Sequence, residues 1–100
     1  MRRFASFREF YPFYLGEHAH PVSRRLHFIG SCGVLVLLGV ALWQRNGWFV
    51  LAALVCGYAF AWVGHFFFEK NRPATFQHPL YSLLGDFVMY RDMILGRVPF

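Results

Sequence analysis

The chain has 100 residues, 57% of them hydrophobic and only 15% charged, whereas a water-soluble domain usually carries about 25% charged residues. So short a chain buries too small a share of its surface to hide that much apolar area in a core of its own, which excludes an ordinary soluble domain and points to lipid as the solvent. The net charge of +5 comes without zinc-finger spacing, an RNP-type strand or a long basic helix, which excludes the usual nucleic-acid binders.

In chain order, the N-terminus lacks the apolar run of a signal peptide. Ser6-Phe7-Arg8-Glu9 has the pattern of a capping box. It opens an aromatic stretch of Phe7, Phe10, Tyr11, Phe13 and Tyr14. Pro12 is expected to kink this helix and Gly16 to end it. A short helix lying in the membrane interface fits the pattern.

Two apolar runs follow, over residues 26–43 and 47–68. Each has about the 20 residues that a helix needs to cross the hydrocarbon core, and neither alternates as a barrel strand would. Gly30, Gly33 and Gly39 in the first and Gly57 and Gly64 in the second suit close helix packing, within the pair or in a homo-oligomer. Cys32 and Cys56 lie inside these runs and are expected to be buried free thiols. The connection, Gln44-Arg45-Asn46-Gly47, contains the turn pair Asn-Gly. Trp43 and Trp48 flank it at aromatic-belt depth.

Cations decide the orientation. Arg2, Arg3, Arg8, Arg24 and Arg25 precede the two spans, Lys70, Arg72, Arg91 and Arg97 follow them, and only Arg45 lies in the turn. The positive-inside rule puts both termini in the cytoplasm. The last segment opens with Pro79 at a first helical position. Leu80, Leu83, Leu84, Phe87, Val88 and Ile94 then follow an approximate helical period, which Asp86, Arg91 and Asp92 interrupt. The expected fold is an all-α membrane protein, one membrane domain over residues 1–100. It is a two-span transmembrane hairpin flanked by an N-terminal interfacial helix and a C-terminal amphipathic or partly inserted helix. The location is the inner membrane of a bacterium or the endoplasmic reticulum of a eukaryote.

The chemical signal is the set of five histidines: His18, His20, His27, His65 and His78. His27 stands 19 residues before Asn46 and His65 stands 19 after it. At about 1.5 Å per residue, both lie about 28 Å from the turn, at one depth on the cytoplasmic rim. His18, His20 and His78 flank the spans and can reach the same rim. Glu69 follows His65 by four residues, on one face of a regular helix. Imidazoles with a carboxylate and open positions suit a non-haem iron centre, and ionisable groups near the bilayer are usually functional. The plainer reading of each lone histidine is a polar tip facing headgroups. Glu69-Lys70-Asn71-Arg72-Pro73 is either a headgroup-facing collar or, through Arg72, a carboxylate clamp. Arg24 and Arg25 are rivals for that role.

Several of these segments together resemble the Mpo-like family of small membrane proteins. They are Ser6-Phe7-Arg8-Glu9-Phe10-Tyr11, Glu17-His18, Arg25-Leu26-His27-Phe28-Ile29-Gly30, Pro79-Leu80-Tyr81-Ser82-Leu83 and Gly85-Asp86-Phe87. The most specific is Gly64-His65-Phe66-Phe67-Phe68-Glu69-Lys70-Asn71-Arg72-Pro73. A fungal member is a ferrous-iron dioxygenase that shortens long-chain 2-hydroxy fatty acids by one carbon in α-oxidation. The resemblance implies Fe(2+) as cofactor and a 2-hydroxy fatty acid, O2 and membrane lipid as partners. It carries metal-ligand roles onto His18, His27 and His65, with Glu69 as a further ligand. Glu69 and His78 are the candidate catalytic groups and Arg72 the candidate substrate contact, although His20 and His78 stand outside the fungal pattern. Two rival classes remain. One is a haem-binding electron carrier with His27 and His65 as axial ligands. The other is a non-catalytic membrane adaptor.

Overall fold

The structure is a computed structural model and describes residues 3–100, so Arg2, counted above among the cations, lies outside the described residues. Four α-helices follow one another: α1 (Phe7–Gly16), α2 (Pro21–Gln44), α3 (Trp48–Val63) and α4 (Pro79–Ile94). A π-helical turn, Gly64–Glu69, prolongs α3, and a 3-10 turn, Ala74–Phe76, leads into α4. No strand occurs among the described residues, in keeping with the all-helical expectation.

The cap of α1 forms as its sequence implies. Ser6 Oγ accepts from the Glu9 N–H at 3.3 Å. The Glu9 carboxylate reaches back one residue further than expected, to the Ala5 N–H at 3.1 Å. Pro12 does not end the helix, which runs through it to Gly16. Proline removes one backbone donor, and Pro12 stands on the exposed face.

α2 begins at Pro21, earlier than the apolar run suggests, because its first turn carries polar Ser23, Arg24 and Arg25. His20 caps it, with Nδ1 accepting from the Val22 N–H at 3.1 Å. α2 ends at a left-handed Arg45 with φ 50°, and the Asn46 N–H then closes onto the Ala41 carbonyl at 3.0 Å. Arg45, rather than Gly47, therefore takes the strained position of the turn, because the helix C-terminus needs the left-handed residue there. Asn46 Oδ1 accepts from the Trp48 N–H at 3.0 Å and starts α3.

α2 and α3 are long and apolar enough, with the π turn included, to cross a membrane. Their apolar windows are only 22% and 17% buried within the molecule. A helix apolar all round and so little covered by its own protein has the pattern of a membrane-spanning segment. The two helices run antiparallel in close contact. A Cβ on Gly30 would fall 2.7 Å from Phe60 Cβ, one on Gly33 2.8 Å from Cys56 Sγ, and one on Gly57 2.9 Å from Val34 Cγ2. Gly39 has nothing within 4 Å of such a Cβ and is not part of this seam.

α1 and α4 do not lie apart. They share a core of Phe10, Tyr14, Met89, Met93 and Val98. α4 faces opposite to the way its leucine pattern suggests. Ser82, Gly85, Met89, Asp92 and Met93 are buried, while Leu80, Leu83, Leu84 and Ile94 are exposed. Buried Asp92 accepts from the Tyr11 hydroxyl at 2.7 Å and from Arg91 Nη2 at 3.1 Å. Burial alone would raise its carboxyl, but the Tyr11 and Arg91 contacts outweigh it and hold the group below the ordinary carboxylate range. The seam gives a direct test. Gly30→Ala is expected to destabilise the chain by about 1–3 kcal/mol through overpacking against Phe60, and Gly39→Ala to leave it unchanged, as thermal unfolding in detergent micelles reports.

Candidate functional site

Three of the five histidines meet where the N-terminus of α2, the π turn and the α1–α2 connection come together. His18, His27 and His65 are 2%, 6% and 3% exposed. The His18 ring lies edge-on to both others, with centroids 4.4 Å from His65 and 5.2 Å from His27. Arg24 secures the short connection, its Nη1 donating to the carbonyls of His18 at 3.1 Å and Ala19 at 2.7 Å.

Each imidazole has one nitrogen committed to an oxygen. His18 Nδ1 is 2.8 Å from the Tyr14 carbonyl, an acceptor only, so Nδ1 carries the proton and donates. His65 Nδ1 is 2.7 Å from Asn71 Oδ1, whose amide nitrogen donates to the Glu17 carboxylate at 2.6 Å, so Nδ1 again donates. His27 Nε2 faces Asp86 Oδ1 at 3.0 Å and the Tyr14 hydroxyl at 3.2 Å. The Tyr14 hydroxyl gives its proton to Asp86 Oδ1 at 2.5 Å, which makes His27 Nε2 the donor to that carboxylate. In a neutral imidazole the opposite nitrogen is the one that keeps a lone pair. His18 Nε2 is buried without a hydrogen-bond partner. Burial, reinforced by His27 and His65, holds the His18 imidazole well below its ordinary pKa, so it is neutral. Burial and Asp86 raise the Tyr14 phenol well above its ordinary value.

The local backbone explains these placements. The π turn widens the helix, and left-handed Lys70 at φ 58° then folds the chain back. The Asn71 N–H closes onto the His65 carbonyl at 3.0 Å, which brings the Asn71 side chain over the His65 ring.

The histidines border a cavity of about 210 Å³. Tyr14, Ser82 and Asp86 complete its polar end, and Val34, Leu38, Val50 and Ala53 carry it along the α2–α3 pair as an apolar groove. From His27 to Leu38 the groove follows about 16 Å of helix.

Other expected site residues fall elsewhere. Glu69 follows His65 within the π turn, but it is not among the residues that line the histidine cavity. Both its carboxylate oxygens accept from the His20 N–H, at 2.9 and 3.0 Å. His78 packs against the rings of Phe4, Phe10 and Phe13 and is not brought to the histidine cavity. Arg72 is exposed and borders a separate depression with Glu17 and His78. Arg24 is engaged with backbone carbonyls, and Arg25 lies 5.5 Å from the Phe100 ring. Tyr14, Asn71, Ser82 and Asp86 were missed by sequence reasoning. Asp86, a charge inside an apolar helical period, carried a readable signal.

The donor chemistry fits a divalent metal. Three imidazoles are each fixed by a hydrogen bond from one ring nitrogen, the arrangement that orients metal-binding histidines. Among the described residues, no three His, Cys, Asp or Glu side chains stand already set around one metal position. Tyr14→Phe removes the hydroxyl shared by Asp86 and His27 while keeping the ring stacked on His18. It is expected to lower stability by about 1 kcal/mol, the net effect of one hydrogen bond lost at a partly buried acceptor, measurable as a lower Tm in detergent.

A family model described as 2-hydroxy-palmitic acid dioxygenase Mpo1-like matches residues 4–98. No curated protein and no solved structure matches the chain.

Proposed function

The chain belongs to the Mpo1-like family, and on that footing we propose that it is an iron(II)-dependent dioxygenase. It shortens long-chain 2-hydroxy fatty acids by one carbon. The family's name implies a dioxygenase acting on a 2-hydroxy fatty acid. The observation that carries the reading to this site is the cluster of His18, His27 and His65 at the polar end of an apolar groove. A fatty acid needs such a site: a polar end for its head and an apolar wall for its tail.

The reaction balances as one 2-hydroxy acid and one O2 giving the acid one carbon shorter, one CO2 and one water. The bond between the carboxyl carbon and the hydroxyl-bearing carbon breaks, the acid is oxidised and O2 is reduced. His18, His27 and His65 would hold the metal through the nitrogens opposite their committed ones. Bound iron(II) would supply the O2 activation that no side chain of this chain provides. Tyr14, Asn71 and Asp86 orient the three rings. The three rings are buried at the polar end, and the α2–α3 groove holds the acyl tail beside it. Glu69 serves this site indirectly, by fixing the His20 backbone where α2 begins.

The proposed setting is a membrane crossed by α2 and α3, with the histidine end at the cytoplasmic face. Arg3, Arg8, Arg24, Arg25, Lys70, Arg72, Arg91 and Arg97 belong to that end, and Arg45 alone to the other. The exposed leucines of α4 then dip into the interface beside α1.

One feature disfavours a haem carrier: the His18 ring packs edge-on against both His27 and His65, where a porphyrin between them would lie. Purified protein is expected to contain stoichiometric iron and no Soret band, and His65→Ala to lose that iron. A Soret band would overturn the reading in favour of haem. An iron content undiminished in His65→Ala would remove the ligand assignment, and wild-type protein loaded anaerobically with Fe(2+) that retains none would favour an adaptor.

A further inference from the structure

The polar end of the cavity contains a second buried atom without a partner, besides His18 Nε2. The hydroxyl of Ser82 is 3% exposed at the residue level, borders the cavity, and makes no hydrogen bond. Buried polar groups in folded proteins are almost always paired, so a pair of orphans facing one cavity marks the position of a ligand group. His18 is accounted for by the metal chemistry above, and Ser82 is not.

Ser82 has a neighbour that narrows its role. Asp86 lies four residues on in α4, borders the same cavity, and shares a face of the helix with Ser82. Side chains so spaced have Cβ atoms about 5–6 Å apart. One group standing between them would meet a donor from Ser82 and an acceptor on Asp86. A carboxylate only accepts, and Asp86 would repel it. A hydroxyl both donates and accepts, so it suits both neighbours at once. Asp86 keeps acceptor capacity for it, since Tyr14 and His27 both bind Oδ1 and a carboxylate offers about four lone-pair sites. Among the described residues, no Lys or Arg borders the cavity to draw a carboxylate toward α4.

We infer that Ser82 is a substrate-binding residue that, with Asp86, recognises the 2-hydroxyl of the fatty acid. It thereby selects 2-hydroxy acids over unsubstituted ones. The inference rests on the fatty-acid reading of the groove, though not on turnover. The Ser82 hydroxyl donates to the substrate hydroxyl oxygen, and the substrate hydroxyl donates to Asp86. The substrate carboxylate is thereby directed to the histidine side of the cavity, away from Asp86, and the tail into the groove. An unsubstituted acid would leave Ser82 as it stands without a ligand, buried and unpaired. That is how a site built for a hydroxyl rejects the analogue lacking it.

The test uses the full chain in detergent micelles with EDTA present, so that binding is read without metal. 2-Hydroxypalmitate and palmitate compete against a fluorescent fatty acid for wild type, Ser82→Ala and Ser82→Thr. Wild type is expected to bind the hydroxy acid more tightly. Ser82→Ala is expected to weaken the hydroxy acid roughly 3- to 10-fold, the effect of one lost hydrogen bond, and to leave palmitate unchanged. Ser82→Thr, which keeps a hydroxyl, is expected to restore the preference. An equal loss for both acids, or no loss, would overturn the assignment. So would a wild type that shows no preference, even if Ser82→Ala fails to fold. A wild type that discriminates but consumes no O2 after iron loading keeps Ser82 and removes the dioxygenase reading. Turnover with an unchanged preference in Ser82→Ala removes Ser82 alone.

Discussion

The Tyr14 hydroxyl reaches from α1 to the Asp86 carboxylate of α4 at 2.5 Å and stands 3.2 Å from His27 of α2. The rest of the polar end depends on this contact. Asp86 is a carboxylate in an otherwise apolar stretch, and such a group is stable at partial burial only if it is hydrogen-bonded. The Tyr14 hydroxyl and the His27 imidazole meet that need, and in doing so they join three helices. The tyrosine comes this close because its neighbour on α4 is Gly85, where a Cβ would fall 3.0 Å from the ring. Its backbone carbonyl holds His18 as well, and its ring stacks on His18 with centroids 4.2 Å apart.

This arrangement divides the molecule into a scaffold and a closure. The α2–α3 pair fixes the spacing of His27 and His65 through its glycine seam, in which the two backbones approach as closely as side chains allow. α1, its connection to α2, and α4 then close over the histidine end. They supply His18, Tyr14, Ser82 and Asp86 to a cavity that continues as an apolar groove. Asn71 completes the set by bridging Glu17 and His65 across the same end. The polar end is tied together by hydrogen bonds among Tyr14, His27, His65, Asn71 and Asp86. The groove is bounded by apolar side chains, aliphatic and aromatic.

Much of the fold was legible in the sequence because composition and helix length are strong constraints. The two long apolar runs could be little else, and the equal distances of His27 and His65 from Asn46 placed them at one end of the pair. The capping box at Ser6 was legible because its geometry is local. What the sequence hid is instructive. α4 carries leucines at helical spacing, and in water that stripe would face the core. Here the exposed stripe is apolar, and the buried one holds Ser82, Asp86, Met89 and Asp92. Periodicity finds the stripe without saying which solvent it faces. Glu69 has its carboxylate on the His20 N–H, a partner 49 residues away that no local spacing reveals. Tyr14 and Asn71 act through contacts distant in sequence, which no local pattern reveals. The roles of His18, His27 and His65 came from the resemblance, and the structure adds their convergence and the partners that hold each ring.

The central claim is that this histidine end supports oxidative loss of one carbon from a 2-hydroxy fatty acid. The most direct measurement supplies iron-loaded protein with O2 and 2-hydroxypalmitate labelled at the carboxyl carbon, and follows label and acid together. The account predicts labelled CO2 and the unlabelled acid one carbon shorter, in equal amounts and at one O2 consumed per CO2. Label retained in the acid fraction, or CO2 released without O2 uptake, would contradict it.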